Sequence, residues 1–324
     1  MARRRNTRGK KIEKVQRSFY LTMTSGQSGY VDLAECLSKV NRKLFRQGYV
    51  YGVESIEFNF DSVNPAAVDH LTLSAFAAPD YWATHNAFVK ALALWREMQA
   101  LVLDDNPSIA GTWRDFKVYL DNNHAAAGNL PALDAAAVPY QAGEWEYSTF
   151  VMPQHNVDPV TGLPLVADET QSHLVGPNVG APGAFTSVGL ISAYALSRAT
   201  VQQVSPNVNP NLSGSFFNLL TDSGSQEPEL ADVIEDENDQ PPYHAANYPG
   251  GSINAPWPCS VDFSTVSSAT PNGAVGPFVA PCGLLLLKLD SFSGGAPGPA
   301  TPIVMRVNMM PGNYKGIAAI KMGQ

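Results

Sequence analysis

Residues 18–24 read SFYLTMT, and the alternation of their side chains predicts a β-strand with Phe19, Leu21 and Met23 on one face. Further strands are predicted at Glu54–Phe60, His70–Ala77, Trp113–Leu120, Trp145–Val151, Leu284–Leu289 and Ile303–Met309. A period of two along a strand places one side chain in two against a core. The chain is therefore expected to bury its apolar residues between sheets.

Two segments have the composition of helices instead. Thr84–Leu103 has apolar residues at helical spacing and contains no Gly or Pro, and Ser187–Thr200 is rich in Ala and begins with a capping Ser. Prolines recur from Pro241 onward and predict short strands separated by long loops. The sequence thus predicts a mainly β fold, an antiparallel jelly-roll sandwich with a few inserted helices and long loops.

Length and composition limit the classes of protein to which this chain can belong. The 324 residues include 15% charged side chains, fewer than a typical globular chain carries, while Gly and Pro stay below the level that indicates disorder. We find no linker that divides residues 18–324, so a single domain is expected there. No apolar run approaches the length of a membrane span, and residues 1–17 lack the apolar segment of a secretory signal.

Residues 1–17 form a basic arm. The segment MARRRNTRGKKIEKVQR has a single acid, Glu13, while residues 18–324 carry 13 basic and 28 acidic side chains. The cations of the arm are Arg3, Arg4, Arg5, Arg8, Lys10, Lys11, Lys14 and Arg17. So many cations with so few apolar groups cannot form a core, and we expect the arm to be disordered when free.

The composition of the arm favours nucleic acid as its partner, because Lys and Arg bind phosphates and release counterions. A nuclear localisation signal uses the same residue types, and binding to an anionic membrane or a purely solubilising role remain alternatives. No membrane insertion is expected.

A second basic cluster lies in the segment Asp32–Gln47, which predicts a helix capped by Asp32 and ended by Gly48. Its cations Lys39, Arg42, Lys43 and Arg46 recur at helical spacing and would share one face. That face would add to the nucleic-acid interface. Alternatively, the cations complement the helix dipole, and Lys39 pairs with Glu35 one turn away.

The sequence contains no motif of a phosphate-binding loop, a dinucleotide-binding turn, a zinc protease or a nucleophile elbow, so no catalytic residues are assigned and no enzyme is predicted. The six His residues are scattered, and each is expected in a loop or at a strand edge. Cys36, Cys259 and Cys282 form no metal-binding pattern and are expected to be free thiols.

One acidic stretch, residues 227–239, offers candidate ligands for a hard cation. Its carboxylates are Asp232, Glu235, Asp236, Glu237 and Asp239. Calcium at subunit contacts is one hypothesis, although the spacing does not match an EF-hand. A solvated loop, or a loop that meets a neighbour's basic surface, is the alternative. No other cofactor is predicted.

Five short segments resemble capsid proteins of small circular single-stranded DNA viruses. They are VDLAECLSKVNRKLFRQG (31–48), ATHNAFVKALALW (83–95), GTWRDFKVYL (111–120), GEWEYSTFV (143–151) and DENDQPPYH (236–244). The resemblance implies a jelly roll that assembles into a closed icosahedral shell, with the arm inside on the genome. It implies location in the virion, and the arm adds entry into the host nucleus.

Together these features predict a structural capsid protein whose partners are copies of itself and a viral genome. Single-stranded DNA is the cargo that the resemblance implies, and RNA is the alternative. A carbohydrate-binding jelly-roll module is the second hypothesis, with Trp82, Tyr243 and Trp257 as surface aromatics. A hydrolase on a β-sandwich and a cellular nucleic-acid-binding protein complete the alternatives.

Overall fold

The computed structural model describes seven stretches of the chain, which are residues 14–60, 67–111, 114–141, 143–151, 169–181, 184–197 and 258–323. Within them the protein is mainly β, as the sequence predicts, and its two large sheets are antiparallel. Residues 1–13 of the basic arm lie outside the described residues.

The strands are β1 (Ser18–Thr24), β2 (Gln27–Asp32), β3 (Tyr49–Asn59), β4 (His70–Ala77), β5 (Thr149–Val151), β6 (Glu169–His173), β7 (Val179–Ala181), β8 (Ala184–Gly189), β9 (Cys259–Ser267), β10 (Asn272–Val275), β11 (Phe278–Pro281), β12 (Leu284–Ser293), β13 (Ala296–Pro297), β14 (Pro302–Met309), β15 (Pro311–Tyr314) and β16 (Ala319–Lys321). The helices are α1 (Leu33–Asn41), α2 (Trp82–Asp105), α3 (His124–Ala127) and α4 (Leu190–Ser197), with a 3-10 turn at Pro107–Gly111.

The two large sheets draw their strands from distant parts of the chain. The first has the order β1-β14-β3-β10, with β11 and β16 also paired to β3. The second has the order β13-β12-β4-β9, and β2 also pairs with β12 on the side away from β4. A smaller third sheet has the order β5-β6-β8-β7, and its β6–β8 pair is parallel.

Apolar side chains from the two large sheets form one core. Val307 of β14 lies opposite Phe19 of β1 and Ile56 of β3 in the first sheet, and all three are fully buried. They share a cluster with Leu73 of β4 and Leu287 of β12 from the second sheet. The alternation that predicts β1, β3 and β4 from sequence is therefore the alternation between core and surface.

The run LLLL in β12 has no alternation because both of its faces are covered. Leu285 and Leu287 point into the core between the two sheets, whereas Leu284 and Leu286 join a second apolar cluster. A strand that is buried on both faces reads as a continuous apolar run. The second cluster is supplied by the long segment between β4 and β9.

That segment packs helices against the second sheet. Helix α2 buries one face, which consists of three alanines and two larger apolar residues. These are Ala83, Ala87, Phe88, Ala91 and Leu94. Tyr194 of α4 packs edge-to-face on Trp82 at a centroid distance of 6.2 Å. Trp82 is therefore the first residue of a packed helix and not an aromatic in a surface loop.

The strand predicted at Trp113–Leu120 is wrong, although its apolar residues are buried. Phe116, Val118 and Leu120 are buried, but the backbone of 114–120 forms only an isolated bridge at Tyr119. Three of its amides instead donate to side chains: Lys117 to Ser148 Oγ, Val118 to Gln47 Oε1 and Leu120 to His124 Nδ1. Tyr119 also exchanges backbone hydrogen bonds with Ser172 and Leu174. Side-chain acceptors and these few backbone bonds thus take the place of a continuous partner strand.

Two further predictions change at their boundaries. Of the strand predicted at Trp145–Val151, only β5 is in a sheet. The helix predicted at Ser187–Thr200 starts at Leu190, because Ser187 pairs with Gln171 within the third sheet. The three cysteines are free thiols, as expected, and Cys36 and Cys282 are buried.

Two valines on β14 test the assignment of the core. Val307→Ala is expected to lower the free energy of unfolding by about 2 kcal/mol, because it leaves a cavity between the sheets. Val304 lies on the same strand with 49% of its surface exposed. Val304→Ala should therefore cost less than about 0.5 kcal/mol. Urea unfolding measures both, and equal losses would contradict the placement of Val307 in the core between the two large sheets.

Candidate nucleic-acid interface

Helix α1 places the second basic cluster, and it is shorter than predicted. Asp32 caps it as expected, and the Asp32 carboxylate accepts the amide of Glu35 at 3.1 Å. The helix ends at Asn41, because Arg42 adopts a left-handed conformation with φ 52°. The prediction that the helix extends to Gln47 is therefore wrong. Four cations on one helical face are excluded, since only Lys39 lies within the helix.

The segment after the helix, here called the 42–47 loop, alternates in exposure. Phe45 and Gln47 are fully buried, whereas Arg42 and Arg46 are exposed. The amide of Phe45 donates to Ser38 Oγ at 2.9 Å, which turns the chain back onto α1. Two buried anchors thus hold the cations of the loop at the surface.

The root of the basic arm lies against this loop. Gln16 and Asn41 exchange two hydrogen bonds of 2.7 and 2.9 Å, and Lys43 Nζ donates to the carbonyl of Lys14 at 3.1 Å. The carbonyl of Arg17 accepts the amide of Met309 at 2.9 Å. The structure therefore brings the described end of the arm beside the second basic cluster.

Lys39 forms the ion pair with Glu35 that was the alternative to a role in the nucleic-acid interface. Its Nζ lies 2.6 Å from Glu35 Oε1 in an i, i+4 pair, and both side chains are mostly buried. The charge of Lys39 is thereby compensated within α1. Among the described candidates, Lys14, Arg17, Arg42, Lys43 and Arg46 remain at or near the surface.

Sequence reasoning missed Lys315, which joins the same surface from β15's end. Lys315 Nζ donates to the carbonyl of Leu44 and lies 5.4 Å from the centre of the Phe45 ring. The neighbouring Tyr314 hydroxyl accepts the amide of Arg46 at 3.1 Å. No sequence signal links residues that are 271 positions apart.

A buried network around Asp32 supports the loop from below. Asp32 Oδ2 accepts hydrogen bonds from Gln47 Nε2 at 2.6 Å, Trp145 Nε1 at 3.0 Å and the Tyr147 hydroxyl at 3.2 Å. Burial, with the nearby Glu35 carboxylate, raises the pKa of Asp32 to about 6, while the hydrogen bonds from Gln47, the Glu35 amide and Trp145 oppose the rise. Four donors thus stabilise a carboxylate that has no access to water.

His124 extends this network and corrects the expectation for histidines. His124 and His173 are fully buried and not at loop surfaces or edges. His124 Nδ1 accepts the amide of Leu120, so Nε2 carries the proton and donates to Asn129 Oδ1 at 2.6 Å. Burial lowers the pKa of His124 to about 4 and that of His173 to about 4. Both rings are therefore neutral near pH 7.

The remaining sequence-predicted residues lie outside the described residues. These are the arm cations Arg3, Arg4, Arg5, Arg8, Lys10 and Lys11 and the carboxylates Asp232, Glu235, Asp236, Glu237 and Asp239. Among the residues that are described, no group of three or more His, Cys, Asp or Glu side chains is placed to hold a metal ion. The calcium hypothesis stays a prediction.

No family model, curated protein or solved structure matches this chain. In the described part of the chain, no helix has the length and apolarity required to cross a membrane. Functional interpretation therefore depends on the strand order and on the surface chemistry described above.

Gln47→Glu tests the support beneath the loop. The new carboxylate would replace a donor 2.6 Å from Asp32 Oδ2, and both residues are fully buried. We expect the free energy of unfolding at pH 7.5 to fall by about 3 kcal/mol. The deficit should shrink at pH 5, where one of the paired acids binds a proton. Gln27→Glu, at an exposed position of β2, is the control and should cost little at either pH.

The buried histidines predict acid sensitivity. Their folded pKa values lie below the ordinary 6.5, so the unfolded chain binds more protons between pH 6.5 and 4. Each histidine should lower the free energy of unfolding by up to about 3 kcal/mol across that window. Asp32, Asp115 and Asp121 have folded pKa values raised by burial, so they gain protons on folding and oppose this loss. The contribution of a histidine is therefore measured as the change in pH dependence when that histidine is replaced.

Thermal melts from pH 7 to 4.5 measure this dependence. His124→Gln should lower stability at pH 7, since the ring stacks on Tyr30 at 4.4 Å, but should make the pH slope shallower. His70→Gln serves as the control because its ring is only partly buried. An unchanged slope in the His124 variant would contradict the assignment of a neutral buried ring.

Proposed function

We propose that this chain is a jelly-roll capsid protein that assembles into a small icosahedral shell and packages nucleic acid through its basic arm. The strand order carries the proposal. Eight strands make the two large sheets when β10 and β11 count as one and the short β13 and β16 are set aside. In chain order they are β1, β2, β3, β4, β9, β10–β11, β12 and β14.

Numbered one to eight, these strands are arranged 1-8-3-6 in the first sheet and 2-7-4-5 in the second. Strands that alternate between two sheets in this way form the paired Greek keys of a jelly roll. Viral capsid proteins and lectins both use this architecture. The strand order supports the fold, and the basic arm favours the capsid over the lectin.

The location of the arm root supports packaging. Lys14 and Arg17 lie beside Arg42 and Lys43, so a strand held by the arm would meet further cations on the body. Residues 1–13 would reach roughly 45 Å beyond this point when extended. If a shell has sixty copies, the arms supply roughly 480 positive charges, which neutralise part of a small genome.

The acidic body complements this arrangement. Residues 18–324 carry more acidic than basic side chains, which disfavours nucleic acid over most of their surface. The resemblance in sequence favours single-stranded DNA as cargo. The carbohydrate-binding alternative loses one of its aromatics, since Trp82 packs on Tyr194.

An arm variant that loses its cations, compared with a control that keeps them, tests the proposal. Because residues 14–17 contact α1 and β14, only the cations before Lys14 should be changed. One full-length variant replaces Arg3, Arg4, Arg5, Arg8, Lys10 and Lys11 with Gln, and its control replaces the four arginines with Lys. We expect the control to yield uniform spherical particles with nuclease-protected nucleic acid, and the Gln variant to lose that nucleic acid.

Negative-stain microscopy and the ratio of absorbance at 260 and 280 nm read out assembly and cargo. Digestion of the extracted cargo with DNase or RNase identifies its type. Full packaging by the Gln variant would refute the role of the arm. A wild-type chain that stays monomeric under all assembly conditions would refute the capsid assignment.

A further inference from the structure

An open cleft of about 420 Å³ lies at the end of the 42–47 loop. The lining residues, here called the arginine cleft, are Arg46, Trp95, Arg96, Gln99, Ala100, Leu103 and Arg114. Five of these come from one face of α2, where positions 95, 96, 99, 100 and 103 recur at helical spacing. Among the described residues, three guanidinium groups and no carboxylate line this space.

The side chain of Arg46 makes one long ion pair within the described part of the protein. Its Nε lies 3.8 Å from Asp115 Oδ1, and its side chain is 51% exposed, whereas that of Asp115 is 12% exposed. An exposed ion pair at this separation contributes little to stability. Asp115 interacts with both Arg46 and Arg96, and because this one carboxylate faces three guanidinium groups, the cleft keeps an excess of positive charge.

Arg114 supplies an independent indication of a ligand. Its Nη1 is buried and has no hydrogen-bond partner among the described residues. A buried charged donor without an acceptor costs free energy, so such groups are normally satisfied by protein, by ordered water or by a bound ligand. An anion in the cleft would provide that acceptor.

The cleft also has an apolar side. Trp95 is partly exposed and packs on the buried Phe116 with ring centroids 5.8 Å apart, which fixes the orientation of the indole. Leu103 and Ala100 continue this side along α2. A rigid aromatic ring beside guanidinium groups is the combination that binds a base and its phosphate.

We propose that the arginine cleft binds one nucleotide of single-stranded nucleic acid, with its phosphate on Arg46, Arg96 and Arg114 and its base against Trp95. The inference rests on the proposed packaging function and names a site on the body for the cargo. Arg46 follows Lys43 by three residues, or at most about 11 Å of chain. A strand released by the arm root therefore has a short path to the cleft.

The aromatic side makes the site selective for single strands. A base can stack on Trp95 only when it leaves its own duplex, and stacking on an aromatic side chain contributes about 1–3 kcal/mol per base. Duplex DNA offers phosphates alone. The cleft would thus retain unpaired cargo more tightly than paired cargo of equal charge.

Fluorescence anisotropy with a labelled deoxythymidine decamer tests the site in the full-length Gln-arm variant, where the arm contributes no cations before Lys14. Adding Arg96→Gln should weaken binding about fivefold, and the slope of log affinity against log salt should fall by about 0.7. Arg306→Gln removes the same charge from the outer face of the first sheet, and binding should change less than twofold. Thermal melts verify that each variant is folded.

Three competitors separate the sources of affinity. An abasic decamer with the same number of phosphates should bind about fivefold more weakly, and duplex of equal length should also bind more weakly. Equal binding of the deoxythymidine decamer, the abasic decamer and the duplex would refute the stacking role of Trp95. Complete displacement by pyrophosphate at low concentration would identify a small-anion site and overturn the proposal.

Two further outcomes distinguish the cleft from the packaging function. If the Gln-arm variant fails to bind the decamer while the wild-type chain binds it and forms particles, the cleft proposal is wrong and the capsid proposal stands. Equal losses from Arg96→Gln and Arg306→Gln would likewise reduce the cleft to general surface charge. Absence of both particles and binding in the wild-type chain would remove both proposals.

Discussion

The carboxylate of Asp32 connects more of this molecule than any other group in the candidate interface. It caps α1 through the amide of Glu35 and accepts donors from Gln47, Trp145 and Tyr147. A buried charge is tolerated only when hydrogen bonds replace its hydration. The segments that provide these donors are therefore required to meet at one point, and the 42–47 loop is positioned as a result.

Local patterns predict the parts of the fold that depend on local chemistry. The bounds of β1 and β4 follow from alternation, since each strand has one face on the core and one toward its surroundings. The end of α1 does not, because Phe45 reaches the core only if the chain turns at Arg42. Nothing within ten residues of that position signals the distant strands that form the core.

The extended segment 114–120 shows a second reason why structure cannot be predicted from local sequence alone. Its alternation resembles a strand, but Val118 finds its acceptor on Gln47, which is 71 residues earlier. The candidate interface has the same origin. Arg42 and Lys43 were recognisable as a cluster along the chain, whereas Arg96, Arg114 and Lys315 join it only through packing. Residues 1–13 supply six further cations, and composition alone is informative there.

The pairing of β1 with β14 has a consequence for how the protein is made. Thr24 is opposite Pro302, and β14 is the strand neighbour of β1 in its sheet. At a translation rate of about 5–20 residues per second, roughly 15–55 s separate the synthesis of these partners. The ribosome therefore exposes the cationic segment well before the first sheet can be completed. The core between the two large sheets forms only when the chain has nearly left the ribosome, while the cationic segment is accessible to polyanions throughout.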